Sequence, residues 1–452
     1  MSSASSGHLS RRRFLGAAAA AGAVAALGGC SGGGGGAGSS PQAAKQLAGP
    51  GSRPFPRLPE GTDTIPQIDH IVVLMMENHS FDNYLGTLGR GDGFTIGPDG
   101  RPTAANADAA GKVVQAFRMP TTCQQQNRPS QNWNDSHVQW DGGRNDGFVR
   151  SGSGPVSMGY WTAADLPFYH GLARTFPLGD RYFASVLAQT YPNRRYLLAG
   201  TSWGLVSNPL PAASDPPPPN GTIFDRLDAH RITWKNYYTN LPTAFLVPSL
   251  ALRDKQNIVP IDGFYADAAA GTLPGYSIVD TDFEHASEED PQDIVVGEAF
   301  SAKVINAVMS GPAWGRTLLV WTYDEHGGYY DHVPPPPAPL PDSIPPAISA
   351  TDQQGRFDRY GFRVPCVVAS PYARRNHVSH VVADHTSILK LVETKWNLPA
   401  MTYRDANASN LLDFVDLHSR PAFREPPVLP APNDNAATEA CLATGPGQIP
   451  PS

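Results

Sequence analysis

Two apolar runs in this chain stop abruptly at acids. Residues 71–76 (IVVLMM) lead straight into Glu77 and Asn78, and residues 318–323 (LLVWTY) into Asp324 and Glu325. An apolar run with no polar alternation is the pattern of a strand buried on both faces, as in the middle of a parallel sheet. Strands are predicted over 68–76, 232–238, 276–279, 318–323 and 364–370, and helices over 165–176, 222–230, 292–309 and 387–397. In the third helix Val295, Ala299, Val304, Ile305 and Val308 recur close to helical spacing. Strands alternating with helices predict an α/β fold with a largely parallel central sheet flanked by helices.

The strand ends carry the chemistry. In open α/β sheets, ligands bind in the crevice beyond the carboxyl ends of the strands. Glu77, Asn78, Asp324 and Glu325 place three carboxylates and an amide at two such ends, and oxygen donors of this kind suit a hard cation. Ser80 is placed to cap a following helix, with Asp82 in its first turn. Either segment alone also reads as an ordinary polar strand end, but two from distant parts of the chain point to one oxygen-rich site. A third segment, QTYPNRR at 189–195, precedes a helix predicted over NRRYLLAG, with Pro192 in its first turn. Thr190 then falls just ahead of a helix N-terminus, where backbone N–H groups favour an anion. Arg194 or Arg195 could clamp that anion through two N–H groups. A simple helix cap explains the same residues.

Taken together, four ordered motifs resemble the bacterial phosphoesterase family that contains the non-specific phospholipases C and a related acid phosphatase branch. They are ENHSFD at 77–82, TYPNR at 190–194, DEHGGYYDH at 324–332 and GFRVPCVVASP at 361–371, and the likeness spans about residues 65–420. The family is similar to the alkaline phosphatase superfamily in fold and metal-site layout. The resemblance implies one divalent metal ion held by Glu77, Asn78, Asp324 and Glu325, with Thr190 as nucleophile touching the metal. It implies that His137 and His285 bind phosphate or protonate the leaving oxygen, that His326 and His385 line the same pocket, and that Arg194 binds substrate. An oxygen-rich ligand set favours Ca²⁺, Mg²⁺ or Mn²⁺ over Zn²⁺. His79 departs from the family, which usually has arginine there; retained chemistry with altered packing or pH response is expected.

Composition changes the picture mainly at the termini. The 452-residue chain has a formal charge of −7, and residues 1–30 hold three arginines and no acid, so the remainder is more acidic still. No basic cluster is left to bind nucleic acid. Ser10-Arg11-Arg12-Arg13-Phe14-Leu15 matches a twin-arginine export signal, and Leu27-Gly28-Gly29-Cys30 a lipoprotein cleavage box. A lipid-tethered protein on the outer face of the membrane is therefore expected, or a secreted one. Residues 31–64 read as a flexible linker, 65–420 as the catalytic domain and 421–452 as a loosely ordered tail. Cys366 is expected as a buried thiol, which leaves Cys123 and Cys441 as the better disulfide pair.

The expected activity is hydrolysis of phosphoric esters through a phosphothreonine, with phospholipid cleavage ahead of phosphomonoester hydrolysis. A sulfatase is disfavoured because Thr190 stands where those enzymes need Cys or Ser. A non-catalytic lipoprotein that binds metal or phosphate is the alternative of a different class.

Overall fold

The computed structural model describes residues 46–124 and 128–434. Eight strands form the central sheet: β1 His70–Met76, β2 Leu178–Gly179, β3 Trp234–Tyr238, β4 Ile258–Pro260, β5 Tyr276–Asp280, β6 Thr317–Tyr323, β7 Cys366–Ala369 and β8 Val378–Ser379. Their order is β8-β2-β7-β6-β1-β5-β3-β4. The block from β6 through β4 is parallel throughout. The antiparallel pairings of β7 with β6 and with β2 turn the other edge into a mixed sheet.

Register explains why the acids meet. In β1 and β6, Met76 lies opposite Tyr323, so Glu77 and Asp324 leave the sheet side by side. On the other flank of β1, Met75 pairs with Asp280, the last residue of β5. Three parallel strands thus deliver carboxyl groups to one edge. Ile71–Met76 and all of β6 are buried, as expected of strands covered on both faces.

The predicted strands and helices form with ends shifted by a few residues, and the short strands β2, β4 and β8 are additions the pattern did not show. Ser80 caps the helix Phe81–Leu85 by accepting from the Asn83 amide. The segment around Thr190 differs from expectation: Gln189 is the N-cap and Thr190 is the first residue of the helix Thr190–Ala199, not a residue ahead of it. That helix packs against the helix His385–Trp396.

Two stretches read as loose are fixed to the body. In the expected linker, Asn397 donates to the carbonyls of Phe55, Leu58 and Pro59, and the Thr64 amide to Lys395. In the expected tail, Phe423 is buried against Phe176 and its carbonyl accepts from the Trp314 indole. Composition marked both as Pro-rich, but main-chain hydrogen bonds to the domain order them. Cys366 is a buried free thiol. Cys123 is disulfide-bonded, whereas Cys441, the export-type segment and Cys30 lie outside the described residues.

Candidate active site

Glu77 and Asn78 follow β1 directly, and Asp324 and Glu325 follow β6. The Glu77–Asn78 peptide is cis. With its nitrogen turned toward them, the Asn78 amide reaches Asp324 Oδ1 at 2.7 Å and Glu325 Oε1 at 3.1 Å. Turned the other way, its oxygen joins two carboxylates, an arrangement that is favourable only with a cation among them. Gly327 and Gly328 make the approach possible. Both hold a positive φ, and a Cβ at Gly327 would lie 1.8 Å from the Asn78 carbonyl oxygen.

The acid cluster carries surplus negative charge. Arg194, itself buried, donates from Nε to Asp324 Oδ2 at 2.9 Å and from Nη1 to Asp280 Oδ1 at 3.4 Å, and its Nη2 lies 3.8 Å from Glu77 Oε1. One guanidinium thus faces Glu77, Asp280 and Asp324, and no guanidinium among the described residues is paired with the neighbouring Glu325. Burial pushes Glu77 and Glu325 well above the usual carboxylate range, and the Asp324 charge pushes both the same way. Asp324 is pushed up to about 6 by burial, even against the charge and hydrogen bond of Arg194. Buried acids that repel one another stay ionised only beside further positive charge. This donor set fits a hard divalent ion.

A cavity of about 580 Å³ opens onto the cluster and is walled by Glu77, Thr190, Arg194 and Glu289, with Leu210, Phe245, Leu252 and Phe283 among its apolar side chains. The Thr190 hydroxyl has no hydrogen-bond partner among the described residues and lies at this wall. On the other side a smaller polar cleft is lined by Asn78, Arg128, Gln131, Glu289 and Asp290. Glu289 belongs to both, and burial followed by the Asp324 charge raises its carboxyl.

The remaining expected residues divide. His385 Nε2–H donates to the Asp324 carbonyl at 2.7 Å, and His326 Nε2–H donates to Gln139 Oε1 at 2.7 Å while its Nδ1 lies 3.3 Å from Glu325. Both rings are buried, and burial keeps them neutral, to about 4 and about 3 respectively. They hold the Asp324–Glu325 turn and do not line either cavity. His285 and His137 lie away from the acid cluster and line neither cavity. His285 is exposed and paired with Asp282 at 3.2 Å. His137 packs against Trp133 with its ring tilted and donates to the Trp133 carbonyl. Neither lines the cavity, because the loop and helix that carry them turn those faces away from it. Arg194 is at the cavity wall, but most of its donors are already engaged by carboxylates, Thr243 and the carbonyls of Met75 and Met76, so it holds the acids together and is not an open anion clamp.

His79 replaces the arginine without leaving a hole. Its ring is buried between Tyr84 and Tyr329 at 4.2 and 4.9 Å, and its nitrogens face Asn83 Oδ1 and the Glu288 carbonyl. Burial holds the imidazole down to about 3.

Asp82, Asp331 and His332 also bring potential ligand atoms together. There the buried Arg363 donates to Asp331 at 2.9 Å and to Asp82 at 3.1 Å, so the cluster already has its cation.

Residues 68–399 match the model of the phosphoesterase family. The chain belongs to that family. It is 32% identical to phospholipase C B of Mycobacterium tuberculosis (strain CDC 1551 / Oshkosh), covering 85% of this chain and 84% of that protein. It is 33% identical to non-specific phospholipase C1 of Arabidopsis thaliana, covering 80% and 74%. Among solved structures it is similar to a protein in the alkaline phosphatase superfamily from Vibrio parahaemolyticus, at 10% identity, a TM-score of 0.39 and coverage of 81% of this chain and 72% of that one. Membership makes this phosphoesterase a phosphoric ester hydrolase.

Sequence reasoning missed Glu289. The segment that holds it, HASEED at 285–290, stood out for its histidine, while the acids after it were the groups aimed inward. Asp280, the last residue of a predicted strand's continuation, was a second missed signal of the same kind as Glu77 and Asp324.

Proposed function

We propose that this phosphoesterase cleaves phospholipids in the manner of a phospholipase C, using Thr190 as nucleophile. The observation that carries this reading is the cavity that Thr190 shares with Glu77 and Glu289, whose other walls are mostly apolar. A small phosphomonoester leaves such walls wet, whereas the glycerol and acyl part of a lipid covers them.

The Thr190 oxygen forms a bond to phosphorus as the bond from phosphorus to the glycerol oxygen breaks. Water then cleaves the phosphothreonine ester and releases the phosphorylated head group. A hydroxyl needs activation to attack at neutral pH. A divalent ion held by Glu77, Asn78, Asp324 and Glu325 would supply that activation and polarise a phosphoryl oxygen. Glu289, with its raised carboxyl at the cavity wall, is placed to take and return a proton. His385 and His326 keep the Asp324–Glu325 turn in position. The N-terminal segment adds a proposal of location: export by the twin-arginine route and lipid attachment at Cys30, tested by fatty-acid labelling that Cys30→Ser abolishes.

The test of the chemistry is turnover of phosphatidylcholine, p-nitrophenylphosphorylcholine and p-nitrophenyl phosphate by the wild type, Thr190→Ala and Thr190→Ser. Thr190→Ala is expected to lose at least about a thousandfold on every substrate with its thermal melting unchanged, and Thr190→Ser to keep part of the rate. Full turnover by Thr190→Ala removes the nucleophile assignment, and a preference for the monoester favours the acid phosphatase alternative.

A further inference from the structure

The cavity does not end at its walls. Leu210 and Leu252 at its mouth are 85% and 60% exposed, and Phe245 and Leu241 beside them 44% and 39%. These are four of the twelve large apolar side chains exposed among the described residues. They come from two separate segments, the proline-rich stretch around Leu210 and the turns and short helix between Leu241 and Arg253, and meet only around this opening. Apolar side chains gathered at one rim mark an interaction surface, whereas scattered ones need no explanation.

We propose that this rim is a docking surface for a lipid layer. It seats the cavity mouth on the membrane, so that a phospholipid passes from the layer to Thr190 along a continuous apolar path. The inference rests on the phospholipase reading for the lipid's destination, but the docking itself does not require turnover. The four rim side chains carry no charge, and the only cationic side chain among those lining the cavity is Arg194, buried and paired with acids. The chain as a whole is acidic. Adsorption is therefore driven by burial of apolar side chains in the interface and is indifferent to the charge of the head groups.

The experiment uses the full chain carrying Cys30→Ser, so that no acyl anchor contributes. Co-sedimentation with phosphatidylcholine vesicles is measured at low and high salt for this protein, for Leu210→Ser/Leu252→Ser added to it, and for Val113→Ser, which alters an exposed apolar residue away from the rim. Expected are salt-insensitive partitioning, a loss of about a hundredfold in the double variant and none in Val113→Ser. A Leu252→Trp variant should also show a blue shift in emission on adding vesicles. Unchanged partitioning of the double variant overturns the proposal. So does binding that requires anionic lipid and disappears in salt, which would point instead to the Arg374, Arg375 and Arg420 surface. Vesicle binding without hydrolysis of any phosphodiester would leave the docking surface standing and remove the phospholipase reading. Hydrolysis of p-nitrophenylphosphorylcholine with no vesicle binding would do the reverse.

Discussion

A buried carboxylate is costly unless something positive meets it, and this protein answers that demand differently at its two acid clusters. Around Glu77, Asp324 and Glu325 a single guanidinium faces more acids than it can neutralise. Without a cation the repulsion remains in the folded state. Asp324→Asn is therefore expected to be more stable than wild type in chelator, by about 1 kcal/mol or more, and to lose the rise in melting temperature that Ca²⁺ or Mn²⁺ produces in wild type. Equal cation-induced shifts in the two proteins would show that the ion binds elsewhere. At the second cluster the charges balance, and His332 is part of the balance. Burial lowers its pKa, but the hydrogen bond from its ring to Asp82 and the charges of Asp82 and Asp331 outweigh this and raise it to about 9. A raised folded-state pKa means stability that is complete below the unfolded value, about 6.5, and is lost as pH rises through about 9. His332→Gln is expected to cost about 1–2 kcal/mol at about pH 6 and far less at about pH 10, after discounting for partial exposure. Urea denaturation at the two pH values checks this; an equal cost at both would mean the ring is held neutral.

At the scale of elements, the motifs that look catalytic in the sequence do two jobs. Glu77 and Asn78 face the cavity side, but Asp82 of the same motif turns back to Arg363 of GFRVP and toward Asp331 and His332 of DEHGGYYDH. Arg363 also donates to the carbonyls of Asp92 and Asp180, so one buried side chain fastens four segments. Arg363→Met removes that charge but keeps much of the volume, leaving buried Asp331 without its partner and Asp82 with His332 alone. A loss of about 3–5 kcal/mol is expected in chemical denaturation, with cation affinity of the surviving folded protein nearly unchanged. A loss below about 1 kcal/mol would mean that the segments are held by packing alone. Strand ends were legible because apolar runs show where they stop. The turning of His137 and His285 away from the cavity was not, since a loop's path is fixed by tertiary hydrogen bonds that leave no local pattern. Residue type drew attention to His285, whereas the two cavities share Glu289.

For the whole molecule, the α/β class and the convergence of distant acids followed from strand pattern and the parallel register it implied. What pattern did not reveal was the mixed edge at β7 and the docking of residues near both described ends, where ordering depends on partners hundreds of residues away, such as Asn397 for Phe55 and Trp314 for Phe423. The consequence is a sheet in which β1, β5 and β6 present acids to one side while the apolar cavity and its rim lie beyond them. Crystals of the protein grown with Mn²⁺ and measured for anomalous scattering show whether side chains from 77, 78, 324 and 325 gather one cation beside Thr190. One strong peak is expected among Glu77, Asn78, Asp324 and Glu325, next to the Thr190 hydroxyl. A peak at Asp82, Asp331 and His332 instead, or none near Thr190, would contradict it.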